Sequence, residues 1–266
     1  MSFEKEFTKD NLYDRLKELG KEFRKLNGTK TPAEIILIGG AAILANYGFR
    51  ESTTDIDAII SASSVMKQAI ILVGDKYNMP HNWLNADFKK TTSFTNKLYE
   101  VSVPYRTFSN ILEVRTIKGE YLIAMKLMSG RQYKHDMSDI AGILWEHKES
   151  GKPLKKEDIQ RALISLYGED IAIPELSQKT LNDAFNDDDY ERTYHDIKQN
   201  EKTTKEILID FEKENPGKLK GENINEIIKR ALSEKGNLNE KINEMKEKAK
   251  NNDNPKSNKV INKKER

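Results

Sequence analysis

Two pairs of residues within positions 38–60, IGGAAILANYGFRESTTDIDAII, carry the chemistry that this sequence suggests. Gly39-Gly40 follows the apolar run EIILI, and a turn without Cβ atoms lets backbone N–H groups and a helix start approach a phosphate chain. The chain then returns with Asp55-Ile56-Asp57. On a strand, residues two apart share a face, so both carboxylates meet on one side while Ile56 turns inward. Alone, the glycines would be an ordinary turn and the acids a solvated strand face. Together, on successive strands, they form a phosphate cradle beside two hard oxygen ligands, an environment suited to Mg²⁺.

The elements that must hold these residues are legible in the hydrophobic pattern. Leu12, Leu16, Leu19 and Phe23 recur at helical spacing, so residues 4–26 read as an amphipathic helix ended by Asn27-Gly28. Residues 34–38 read as a buried strand, 41–48 as a short helix and 54–61 as a second strand. Ser63 is placed to cap a helix running to residue 76. Residues 81–95, which contain HNWLN, read as an irregular loop, with strands expected at 98–103 and 111–117. Helices follow over 119–131 and from Asp136, a residue also placed to act as an N-cap. Trp83 and Trp145 read as core anchors, and the four histidines (His81, His135, His147, His195) show no metal-binding spacing.

After Gly151-Lys152-Pro153 the pattern is helical throughout: 155–166, 176–185, 190–214 and 223–235, with Pro216-Gly217 as a break. The expected architecture is therefore α/β (α+β), a small mixed sheet flanked by helices and followed by a mostly helical region. Residues 1–150 would form the first domain, with the N-terminal helix packed on it. Residues 151–236 would form the helical region, and 237–266 a basic, flexible tail. From Lys235 onward there are ten Lys/Arg against five Asp/Glu, a local charge of +5 (10 − 5).

Overall the chain is 36% apolar and 33% charged with a net charge of +2, so no bulk charge drives it onto nucleic acid or membrane. Any such binding needs a local patch. With no cysteine, disulfides, thiolate zinc sites and cysteine nucleophiles are excluded. The opening MSFEKEFTKD has no apolar signal core, and no apolar run nears the ~20 residues that cross a bilayer. A cytoplasmic protein without membrane contact is expected.

Gly-Gly, then an arginine, then the Ser-Thr-Thr-Asp-Ile-Asp run resembles the signature of the nucleotidyltransferase superfamily, whose founding fold is that of DNA polymerase β. LIAMKLMSGRQYKHDMSDIAGIL (122–144) looks like the matching segment of the AbiEii-type toxins and their relatives, which carry a lysine followed by R-x-x-x-D-x-x-D. HNWLN is similar to that group as well. The resemblance covers residues 35–168.

The resemblance implies that Gly39 and Gly40 cradle a triphosphate and that Asp55 and Asp57 ligate Mg²⁺. It further implies that Ser52, Thr53 and Thr54 are placed for phosphate oxygens and that Lys126 counters triphosphate charge. Asp139 would orient Lys126 or Arg131, and Arg131 would bind phosphate or pair with the acids. The usual third metal-binding carboxylate would be Glu113, with Glu100 as the other candidate. The implied activity is transfer of NMP from an NTP to an acceptor. By resemblance that acceptor is tRNA or another RNA, and the biology a toxin–antitoxin or phage-defence system with a cognate antitoxin. Transfer to a protein or small molecule stays open, as does a nucleotide- or partner-binding protein with degraded catalysis.

Overall fold

The computed structural model describes residues 6–29, 31–129, 135–187 and 189–233. Arg131 and the tail 237–266 lie outside them. Two compact units divide the chain, 1–202 and 203–266.

The first unit is built on one five-stranded sheet: β1 (Ala33–Leu37), β2 (Ile56–Ser61), β3 (Leu84–Asn85), β4 (Ser102–Phe108) and β5 (Leu112–Ile117). Their order across the sheet is β3-β2-β1-β5-β4. The central strand β1 runs antiparallel to β2 and parallel to β5. Its Ile35, Ile36 and Leu37 are completely buried, which explains its unbroken apolar run: a central strand covered on both faces has no polar side to show. Strand β4 lies at the edge and alternates in exposure, and Pro104 sits where its register shifts against β5.

The helices of this unit are α1 (Lys9–Asn27), α2 (Gly39–Asn46), α3 (Val65–Lys76), α4 (Leu98–Val101), α5 (Gly119–Ser129), α6 (Asp136–Glu149), α7 (Lys156–Tyr167), α8 (Glu175–Asp187) and the start of α9 (Tyr190–Glu214). Helix α1 opens with a reciprocal cap, in which Asn11 N donates to Thr8 Oγ1 and Thr8 N donates to Asn11 Oδ1 at 2.7 Å. It closes at Gly28, whose φ of +71° needs no Cβ to be accommodated. Leu12, Leu16, Leu19 and Phe23 all face the core, as their spacing predicts. Helices α1 and α3 pack together, while α5 contacts α2, α6, α7 and α8. Among the described residues, no helix is long and apolar enough to cross a membrane.

In the second unit, residues 224–233 form a further helix, and Gly217, with φ +73°, marks the expected break before it. Ile207, Leu208, Ile224 and Ile228 are buried there.

Three local expectations change. Residues 98–103 open with the helical turn α4, and the strand begins only at Ser102. The HNWLN segment is not wholly irregular: Leu84-Asn85 pair in parallel with Ile56-Asp57, and a 3₁₀ turn follows at Asp87–Lys90. Ser63 does not cap α3; its hydroxyl donates to Asn27 Oδ1 at 2.7 Å, and Ser64 takes the N-cap place without a side-chain bond. The pairing of Leu84 with Ile56 and the bond of Ser63 to Asn27 are tertiary contacts overriding a local preference.

Leu16 has no exposed surface in the core. Leu16→Ala is expected to lower unfolding stability by about 2–5 kcal/mol, read from the urea midpoint at unchanged slope.

Candidate active site

The Gly-Gly pair forms the first turn of α2 itself, with Gly39 at φ +55°. Such a backbone is strained for any residue with a Cβ, so the sharp passage from β1 into α2 selects glycine. The first N–H groups of a helix have no partner within it, so this turn presents free donors. A Cβ built on Gly39 would have Asp57 Oδ2 as its nearest neighbour, at 3.9 Å. The strands explain the meeting, because Ile38 N donates to Asp57 O at 2.9 Å where β1 ends and β2 begins.

The two acids stand as their spacing requires. Ile56 is fully buried, Asp57 is half-buried, and Asp55 is exposed just before β2. Both carboxylates line a cleft of about 330 Å³ together with Phe7, Thr54, Pro80, Asn82, Trp83, Asn85 and Asp87. Trp83 forms part of the wall while anchored in the core, its indole N–H donating to Ile70 O at 2.9 Å. Phe7 packs beside it, with ring centroids 6.0 Å apart.

Of the three hydroxyls before the acids, only Thr54 lines the cleft. Ser52 Oγ donates to Glu6 Oε2, and the buried Thr53 hydroxyl bonds the carbonyl of Asp55 at 3.3 Å. Thr53 also exchanges two backbone hydrogen bonds with Phe7, a β-bridge that pins this segment from the other side.

Lys126 and Asp139 meet in a buried ionic cluster. Lys126 Nζ lies 2.7 Å from Asp136 Oδ1 and 2.8 Å from Asp139 Oδ2. Burial by itself would lower the lysine's pKa, but the carboxylates of Asp139 and then Asp136 outweigh it and hold the ammonium above the ordinary lysine value. Asp139 is shared with Arg50, whose Nη1 lies 2.6 Å from both carboxylate oxygens. Asp136 is not an N-cap: it is the first helical residue of α6, fully buried against Lys126. The start of α6 is instead satisfied by Glu201 on α9, which accepts from Ser138 N at 3.0 Å and from the Ser138 hydroxyl at 2.6 Å.

Glu113 does not join the carboxylates. It pairs in register with Glu34 and lies 2.9 Å from Arg115, whereas Asp57 sits beside Ile38. Four residue steps, from Glu34 to Ile38, separate these rows, roughly 13 Å along the sheet. Glu100 is exposed on α4. The residue that the sheet sets beside Asp57 is Asn85, whose Oδ1 accepts from Asp87 N at 2.9 Å. Among the described residues, no group of three or more acidic or histidine side chains is arranged to hold a metal ion.

Sequence reasoning gave Arg50 no role beyond its place in the signature, and it missed Asn85, Asp87 and Glu201. The first lay inside the 38–60 motif, and HNWLN held the second; their partners come from distant parts of the chain. Glu201 carried no local signal.

A family model described as a nucleotidyltransferase of unknown function (DUF6036) matches residues 14–146. No curated protein and no solved structure matches the chain.

A Cβ on Gly40 would stand 2.6 Å from Thr53 Oγ1 and 2.9 Å from Arg50 Nη2. Gly40→Ala is therefore expected to destabilise the fold by about 1–3 kcal/mol in chemical denaturation. A raised pKa for Lys126 means its contribution is complete below the unfolded lysine value and is lost as pH climbs through the folded one. The thermal midpoint should hold at neutral pH and decline above about pH 10.4. Lys126→Met should lower the neutral midpoint, by the equivalent of about 3–5 kcal/mol, and flatten the alkaline decline in calorimetry.

Proposed function

The chain belongs to that nucleotidyltransferase family, and from this premise we propose that it transfers an NMP unit from an NTP to an RNA acceptor, with Asp55 and Asp57 as Mg²⁺ ligands. The observation that carries this reading is the approach of Asp57 to Gly39 at the head of α2, beside a cleft that Asp55 and Thr54 also line.

The residues fit the ion. Mg²⁺ prefers hard oxygen donors, and the carboxylates of Asp55 and Asp57 beside the glycine turn would hold it. When bound, the ion supplies positive charge that neutralises the phosphates and steadies the leaving group. The chain's own residues do the rest. Gly39 and Gly40 offer N–H groups to the triphosphate without a Cβ in the way, and Thr54 stands within the cleft for a phosphate or sugar oxygen. Lys126 and Asp139 act from behind the turn as fixed charges that need no rearrangement during reaction. The acceptor oxygen bonds to the α-phosphorus as the α–β bridging P–O bond breaks. Pyrophosphate leaves with that electron pair, and the acceptor's proton passes to solvent.

An RNA acceptor is supported by the +5 charge of the 235–266 segment (10 − 5) and by Lys152, Lys155 and Lys156. The AbiEii-type resemblance supports the role of toxin in a toxin–antitoxin or phage-defence pair. A second reading, a nucleotide-binding protein with weak chemistry, is favoured by the placement of Glu113 away from the other acids.

Incubation with each α-³²P-labelled NTP, Mg²⁺ and total tRNA separates these readings. Wild type should label RNA, and Asp55→Asn or Asp57→Asn should reduce labelling at least about 100-fold. Label on protein alone would move the acceptor to a polypeptide. NTP binding without transfer to any acceptor would sink the catalytic reading.

A further inference from the structure

Arg50 is the cation that lies against the glycine turn. Its side chain is only 12% exposed and makes contacts in three directions. Nη1 reaches both oxygens of Asp139 on α6 at 2.6 Å. Nε donates to the carbonyl of Ser52 at 3.0 Å. The remaining edge lies over Gly40, where a Cβ would come within 2.9 Å of Nη2 and 3.2 Å of Cζ. One flat group thus touches α6, the segment leading to the acids, and the first turn of α2.

These three elements must hold a fixed relation if Asp55 and Asp57 are to hold a metal beside the glycine turn. Ser52 lies three residues before Asp55, and Thr53, between them, bonds the carbonyl of Asp55 at 3.3 Å. If the 52–55 segment shifts, Asp55 and Asp57 move relative to the turn. A guanidinium fork is well shaped to hold three elements together, because its donors diverge in one plane, whereas a lysine ammonium offers a point charge with no fixed plane. Asp139 is held in turn by Lys126, and Lys126 by Asp136, so the anchor is a buried group with matched charges rather than a surface pair.

We infer that Arg50 is a positioning residue that sets the height of the Asp55–Asp57 ligand pair over the Gly39-Gly40 turn, clamped by Asp139 and braced on Gly40. This rests on the proposal that Asp55 and Asp57 are the metal ligands. It assigns Arg50 no contact with substrate. Its effect is on metal affinity, through the geometry of the ligands.

The test uses the full chain with Mn²⁺ as the probe, its binding followed by electron paramagnetic resonance in the presence of a non-hydrolysable NTP analogue. Arg50→Lys, Asp139→Asn, their double variant and Asp57→Asn are compared, with thermal midpoints recorded beside the affinities. Arg50→Lys is expected to weaken Mn²⁺ binding about tenfold, the scale typical of groups that orient metal ligands. The thermal midpoint should stay near that of wild type. Asp139→Asn should weaken Mn²⁺ binding likewise, and the double variant should be no worse than the more affected single one, since both remove the same clamp. Should Arg50→Lys not fold, Asp139→Asn alone carries the test, because it keeps the shape of the clamp and lowers its charge. A lower thermal midpoint with unchanged Mn²⁺ affinity would make Arg50 a purely structural residue and overturn the inference. Mn²⁺ affinity unchanged in Asp57→Asn would overturn the metal-ligand proposal, and this inference with it. Loss in Asp57→Asn with none in Arg50→Lys would overturn the inference alone.

Discussion

Four charged side chains from three parts of the chain, Lys126, Asp136, Asp139 and Arg50, are removed from water together, and the geometry of the site depends on their being complete. Taking an ion out of water costs several kcal/mol, and the mutual attraction offsets this only when every member is in place. The cluster is therefore a weak source of net stability and a strong source of uniqueness. An arrangement that misplaced α6 by one residue would strand a carboxylate in the core. That intolerance fixes α5 against α6, and through Arg50 it fixes both against the turn and the acids.

The antiparallel pairing of β1 with β2 does the complementary work. It brings the end of one strand beside the start of the next, so the glycine turn and the carboxylates emerge at the same end of the strands. Cover on both faces makes β1 insensitive to solvent, and the exposed or half-buried acids are carried beside a central strand whose Ile35, Ile36 and Leu37 are completely buried. Rigid apolar support beneath polar groups is what lets a site keep its shape without spending its own polar atoms on structure.

Much of this frame was legible in the sequence because its signals are local. Leu12, Leu16, Leu19 and Phe23 announce a helix face by spacing alone, and EIILI announces a buried strand by composition. The Asp-Ile-Asp alternation revealed which side each residue would take. What stayed hidden depends on contacts between distant segments. Ser63 carries the local preference of a cap, yet Asn27 claims its hydroxyl. Asp136 looked like a cap, yet Lys126 draws it inward and Glu201 does the capping. Glu113 matched the expected residue type, but only the register of β1 with β5 reveals that it stands at the far end of the sheet. Asn85 gave no hint that a two-residue strand would set it beside Asp57. The family match over residues 14–146 takes in the sheet and the acids and stops before Glu201.

Glu201 has a consequence for the order of events in the life of the chain. The segment that walls the cleft at Phe7 is synthesised first, the acids follow, then Asp139, and the residue that caps the helix carrying Asp139 comes last of all. A nascent chain can form the sheet and bring its acids to the turn while α6 still lacks its cap. Completion of the site is thereby tied to completion of the surrounding helices. Such a built-in delay is a form of timing written into topology.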